Sequence, residues 1–262
     1  MLMAIDVGNT QIVVGLFDDN VSVGTGELVH QWRVATHPVY TADEFALQLA
    51  QLLALDGLDF STVTGAAIAC VVPPLQTALR DMLSRRLKVP SVFVEPGVRT
   101  GMPVLVDNPK EVGADRIADA VAAFERFGGP TIVVDFGTAT NFEVVSAKGE
   151  YLGGVLFPGV ELSFNALTAR AALLSRVDMA PPRSILGKNT VEQLQSGMFY
   201  GFAALVEGVC AKLKDEVGHA TVVATGGLAP VIVPSTKGID YYEPWLTLYG
   251  LRTIYHRNRS DG

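Results

Sequence analysis

The chain has 262 residues, 49% of them hydrophobic and 18% charged, which supplies a full core and excludes a disordered chain. A net charge of −7 argues against nucleic acid as a bulk partner, since phosphate neutralisation needs clustered Lys and Arg. The length fits one large domain or two modest ones.

The opening "MLMAIDVG" has no basic leader and reads as a first strand, Met3 to Val7, not a signal peptide. No apolar run is long enough to span a bilayer, so a soluble, cytoplasmic protein without a membrane partner is expected. A second strand runs from Ile12 to Phe17 and a third from Leu28 to Ala35. Thr41 then caps a helix, with Glu44 completing a capping box and Leu47, Leu49, Leu52 and Leu53 forming an apolar stripe. "GAAIACV" at 65–71 is wholly apolar, as expected of a strand covered on both faces. Pro73 and Pro74 start a helix to about Leu87, and "PSVFVE" at 90–95 is another strand. The irregular "PGVRTGMPVLVDNPKEVGADR" leads into an Ala-rich helix, Ile117 to Phe127.

The pattern then restarts. "TIVVDFGTATNFEVVSAKGEYLGGVLF" at 131–157 repeats strand, turn, strand, turn, strand. Asp135-Phe-Gly-Thr-Ala-Thr answers Asp6-Val-Gly-Asn-Thr almost half the chain away. One such turn is an ordinary hairpin; two at this spacing indicate a duplicated domain, divided here as 1–116 and 117–262, with the final helix able to pack back on the first half. The second half continues with a helix from Gly159 to about Ala172 and a Pro-rich loop at 176–189. Thr190 and Gln193 read as another capping box, opening a helix to about Glu216 with Leu194, Met198, Phe202, Leu205, Val209 and Leu213 on one side, best read as a core face. "TVVATGG" at 221–227 is a strand with a Gly-Gly turn, and Trp245 to Asn258 is the closing helix. Cys70 and Cys210 lie in apolar contexts and read as buried reduced thiols. The four histidines are scattered, so no zinc site is expected.

The two turns share a chemistry. Glycine admits a ligand close to the backbone, and Asn9, Thr10, Thr138 and Thr140 offer neutral donors. Asp6 and Asp135 cannot touch phosphate directly, because like charges repel; a cation or ordered water between them and the ligand explains them. That is the logic of a nucleotide–cation site. A P-loop, a dinucleotide fingerprint and a nucleophile elbow are all absent from the sequence.

Together with "NPKEVGADR" (108–116), "FPGVELSFNALTARAA" (157–172), "GKNT" (187–190) and "ATGGLAP" (224–230), the turns resemble those of the type III pantothenate kinase family, within the actin and sugar-kinase superfamily. The resemblance runs from Met1 to about Arg257. It implies an α/β, duplicated ribonuclease H-like (actin-like) fold, two mixed-sheet domains facing a nucleotide cleft. It implies phosphorylation of the primary hydroxyl of pantothenate by ATP, the first step of coenzyme A biosynthesis. The loop Asp6, Val7, Gly8, Asn9, Thr10, Gln11, Ile12 and Val13 would bind ATP, as would Thr138, with the Gly226–Gly227 turn on the nucleoside side. Asp135 would hold a monovalent cation, K+ or NH4+, alongside Mg2+ with ATP. Gly113, Ala114, Asp115 and Arg116 would contact pantothenate, as would Thr190 from the other subunit of a homodimer.

Asp115 would be the base that accepts the hydroxyl proton. Its place after a Gly-Ala turn at a helix start leads one to expect that backbone N–H groups and the helix dipole keep it ionised. Arg116 could fork onto a carboxylate or phosphoryl oxygen, its plainer reading being a helix-start arginine. Thr190 reads equally well as a helix cap. Asn141 and Val106 depart from the family, which more often has Thr and Tyr there. Three other readings predict different behaviour: a kinase for another small hydroxyl compound, a non-catalytic regulatory relative, and a filament-forming ATPase that would not need "GADR".

Overall fold

A computed structural model of the chain describes residues 1–18, 26–170, 177–178 and 180–259. The chain divides into two compact units. One comprises Met1–Pro103, Asp107–Ala122 and Leu246–Gly262, the other Val104–Val106 and Ala123–Trp245.

The first unit is built on β1 (Leu2–Val7), β2 (Gln11–Phe17), β3 (Leu28–Ala35), β4 (Gly65–Cys70) and β5 (Ser91–Phe93), with α1 (Ala42–Leu55) and α2 (Pro73–Met82). α3 (Ala114–Phe127) starts in this unit. The sheet order is β3-β2-β1-β4-β5. β1 is antiparallel to β2 and parallel to β4. Central position explains its composition: Leu2, Met3, Ala4, Ile5 and Val7 are fully buried, as a strand covered on both faces requires. Met3, Ile5 and Val14 meet Phe45 and Leu49 of α1 and Leu75 and Leu79 of α2 in one core.

The second unit carries β6 (Thr131–Phe136), β7 (Ala139–Val145), β8 (Tyr151–Pro158), β9 (Thr221–Thr225) and β10 (Tyr241–Tyr242), with α4 (Val160–Arg170), α5 (Thr190–Val217) and the short α6 (Ala229–Ile232). Its order is β10-β9-β6-β7-β8. β6 is antiparallel to β7 and parallel to β9, so both sheets have the same order and the same strand senses. The repeated turn therefore marks a repeated fold. Ile132, Val134 and Phe142 pack with Val206 and Cys210 of α5.

The last helix, α7 (Leu246–Arg259), returns to the first unit and lies on β1 and β4. Two close approaches seat it. A Cβ on Gly65 would fall on the Tyr255 hydroxyl, and one on Gly250 would fall on the Ala118 carbonyl of α3.

Two local expectations are corrected. The capping box at Thr41 and Glu44 is present, but Leu47 is exposed; the buried stripe of α1 is Phe45, Ala46, Leu49 and Leu53. The Thr190–Gln193 box is displaced by one residue: Asn189 is the cap and accepts from the Glu192 N–H at 2.9 Å. Asn caps as well as Thr, and the helix took the earlier of two adjacent candidates. The helix placed at 159–172 is described only to Arg170; residues 171–172, and 176 and 179 of the following loop, lie outside the described residues. No described helix is long and apolar enough to cross a membrane.

Candidate active site

The first hairpin joins β1 to β2 in three residues, Gly8 to Thr10. Val7 faces Ile12 across the ladder, and the Gly8 N–H donates to the Gln11 carbonyl at 3.0 Å. Asn9, Thr10 and Gln11 are exposed at the tip, whereas Val7 and Ile12 are buried, so those two can offer a ligand only their backbone. Asp6 lies at the end of the strand and is half-buried. Burial pushes up the pKa of the half-buried Cys70, whose thiol donates weakly to the Val72 carbonyl, and the Asp6 carboxylate adds to the rise. Acid and thiol therefore share the same end of adjacent strands.

Asp115 belongs to this unit. The first bond of α3 runs from the Ile117 N–H to the Gly113 carbonyl at 3.1 Å, which puts Asp115 in the first turn rather than at the cap. Its Oδ1 accepts the Arg116 N–H at 2.8 Å. A Cβ on Gly113 would strike that same oxygen, so glycine there leaves room for the carboxylate to fold back over the helix start. That Cβ would also lie 3.6 Å from Val71, whose N–H donates to the Val7 carbonyl at 3.0 Å. Val71 thus lies near Gly113 by its side chain and is tied to the end of β1 by its backbone. The Arg116 N–H reaches the carboxylate as expected of a helix start, but it does not set the direction of the shift. Burial raises its pKa, outweighing the Arg116 N–H and the Arg116 charge, both of which pull it down.

In the second unit Asp135 pairs across the ladder with Asn141 of β7 and Thr225 of β9. Directly opposed residues share a face, so carboxylate, amide and hydroxyl gather there. Thr225 is buried, and the Oδ1 of Asn141 is buried with no hydrogen-bond partner in the structure. Glycines line the carboxylate: a Cβ on Gly137 would lie 3.2 Å from Asp135 Oδ2, and one on Gly226 would strike Oδ1. Thr138 is exposed at the hairpin tip. Thr190 is exposed in the first turn of α5, in the second unit, while Gly113–Arg116 belong to the first.

Sequence reasoning missed Thr225 and the fully buried Glu143 of β7. A glutamate inside the apolar run "NFEVV" was the available signal for the latter. It also missed Thr36, whose hydroxyl donates to the Gly8 carbonyl at 2.7 Å.

Both cysteines are free, Cys210 buried as expected and Cys70 only half so. Burial pushes the Cys210 thiol up to about 12. At pH 8 only about one Cys210 in ten thousand is then thiolate, the reactive form. Native protein should label at Cys70 before Cys210, and both far more slowly than in denaturant; labelling of Cys210 at the denatured rate would contradict this burial.

A family model described as type III pantothenate kinase matches residues 2–212. A type III pantothenate kinase from Streptomyces griseus is 51% identical over 269 residues, covering 99% of each chain. Among solved structures, the activator of the 2-hydroxyisocaproyl-CoA dehydratase from Clostridium difficile with bound ADPNP superposes with a TM-score of 0.57 at 11% identity, covering 99% of this chain and 96% of that one. The inorganic polyphosphate/ATP-glucomannokinase from an Arthrobacter strain gives 0.50 at 16% identity, with 98% of both chains covered. These two likenesses speak for the fold, the duplicated actin-like arrangement already visible in the repeated strand order.

Proposed function

This chain belongs to the type III pantothenate kinase family, and on that premise we propose how its own residues carry out the reaction. The reaction is transfer of the γ-phosphoryl group of ATP to the primary hydroxyl of pantothenate, giving 4'-phosphopantothenate for coenzyme A biosynthesis. Such transfers need little covalent help from the protein; positioning and charge neutralisation supply most of the rate.

Asp115 is the base. A carboxylate whose pKa is raised by burial accepts a proton more readily in the transition state than an ordinary one. This half-buried carboxylate, held by the Arg116 N–H at the start of α3, is the observation that carries the mechanism. Arg116, its neighbour, offers a fork for the pantothenate carboxylate or a phosphoryl oxygen. Gly113 and Ala114 leave that substrate close access to the helix start. The tip Gly8–Gln11 binds the ATP phosphates, with Val7, Ile12 and Val13 supplying backbone and Asp6 acting through a cation or ordered water; Thr138 adds a hydroxyl.

Mg2+ enters with ATP. For K+ or NH4+, the donor set on the second sheet fits: the Asp135 carboxylate and the buried Asn141 Oδ1 are oxygen ligands on one face. A cation held there would supply fixed positive charge near the phosphates. The amide at position 141, a departure from the family, is thus itself a usable ligand.

A homodimer is supported by β8. It is an edge strand, and Leu152, Val155, Leu156 and Phe157 on it are exposed, as are Leu162 and Leu167 of α4. An exposed apolar edge of this extent is what natural sheets cover. Thr190 would reach pantothenate from the second copy. Two free cysteines and the need for ATP support a cytoplasmic location.

The test is ADP release with pantothenate, with K+ present or replaced by Na+. Turnover is expected with K+ and a large loss with Na+, from an enzyme that sediments at twice the chain mass. No turnover in either salt would overturn the function; equal turnover in both would remove the cation role from Asp135.

A further inference from the structure

The tip of the first hairpin is held from outside its own turn. β3 alternates: Trp32 and Val34 lean on the core, while Gln31, Arg33 and Ala35 face out. Thr36 follows on the core-side rhythm, beyond the end of the strand, where the neighbouring chain is the hairpin turn. Its hydroxyl donates to the Gly8 carbonyl at 2.7 Å, and its N–H donates to the Thr10 carbonyl at 3.0 Å.

These two bonds fix more than two oxygens. A peptide unit is planar and trans, so its C=O and N–H point in opposite directions. Holding the Gly8 carbonyl toward Thr36 aims the Asn9 N–H the other way; holding the Thr10 carbonyl does the same for the Gln11 N–H. Glycine is the residue whose neighbouring peptide flips at least cost, and a flip at Gly8–Asn9 would present a carbonyl where an anion needs a donor. We propose that Thr36 is a positioning residue for nucleotide phosphates: it clamps the carbonyls of the first hairpin from behind, so that the turn offers N–H groups to the ligand before the ligand arrives.

The second hairpin handles the same problem differently. There the residue after β8, Gly159, donates its N–H to the Thr138 carbonyl at 3.1 Å. It can carry no side chain, because a Cβ would lie 2.6 Å from the Gly137 carbonyl and closer still to that of Thr138. At the position that follows the third strand, the hydroxyl belongs to the first half alone. In that half Arg33 adds a further tie, donating to the Gln11 side chain at 3.0 Å.

The proposal rests on the first hairpin being the phosphate loop, and the test separates the two ideas. ADP and adenosine binding are measured by calorimetry for the wild type, Thr36→Val and Thr36→Ser. The valine keeps the shape and loses the hydroxyl; the serine keeps the hydroxyl. Expected are a loss of about fivefold to tenfold in ADP affinity for Thr36→Val, the size of one hydrogen bond, adenosine affinity within about twofold, and recovery in Thr36→Ser. In turnover, the ATP KM should rise by a similar factor, with the pantothenate KM unmoved. Unchanged ADP binding in Thr36→Val, an equal loss for adenosine, or no rescue by serine would each overturn the clamp. Should Thr36→Val fail to fold, Thr36→Ala is compared with Thr36→Ser by the same criteria. A wild type that binds ADP no better than adenosine would overturn the phosphate loop itself.

Discussion

Asp115→Asn is expected to lower kcat by about 10²–10⁴-fold, the range a general base contributes, with ATP binding unchanged. The amide keeps the volume and still accepts the Arg116 N–H through its oxygen, so the start of α3 is preserved. Only the capacity to take up a proton is lost. Two further readings follow from the raised pKa of Asp115. Wild-type kcat should fall as pH drops through that raised value, giving an acid limb above the ordinary carboxylate range, and the variant's residual rate should lack this limb. Stability moves in the opposite sense. Between the unfolded and the higher folded pKa, the folded state holds more protons than the unfolded one, so stability decreases as pH rises through that window. Asparagine carries no charge to bury, and the variant should melt at or above the wild-type temperature at neutral pH. Near-normal turnover would remove Asp115 as base; a large drop in melting temperature would show that the carboxylate serves the fold.

Gly226→Ala should destabilise by about 2–4 kcal/mol, in the upper part of the ordinary range for point changes, and raise the ATP KM severalfold. Two separate costs meet at this residue. Its φ is +93°, a region that L side chains rarely adopt. A Cβ would also lie 2.6 Å from the Phe136 N and strike the Asp135 carboxylate, so either β6 shifts or the carboxylate turns. Gly57→Ala isolates the first cost. It has a φ of +73° and nothing within 4 Å of its Cβ, so about 1 kcal/mol of backbone strain is expected. Thermal melts of the two variants give the collision by difference. Equal losses would mean that the Asp135 face yields freely.

The parts of this molecule carried by short-range rules could be read from its residues. Thr41 and Glu44 cap α1, and the repeated Asp-x-Gly turn announced two like sheets. Errors arose where two local rules competed or where the deciding partner is distant in sequence. Asn189 and Thr190 are both good caps, and nothing local chooses between them. Leu47 is apolar and in a helix, but it sits off the buried face of α1. The raised pKa of Asp115 was not legible, because the helix start is visible in sequence while the burial around it is not. Thr36 escaped notice for the same reason: it lies 28 positions from Gly8, and an exposed-looking threonine before "HPVY" gives no hint of its partner.

The seating of α7 has a consequence in time. Protein synthesis is vectorial, and the second unit leaves the ribosome before the helix that finishes the first. Until α7 emerges, β1 and β4 have one face bare, and α3, which bears Asp115, lacks the helix whose Gly250 abuts its Ala118. The base is therefore set in its final surroundings only once translation has reached this last described helix.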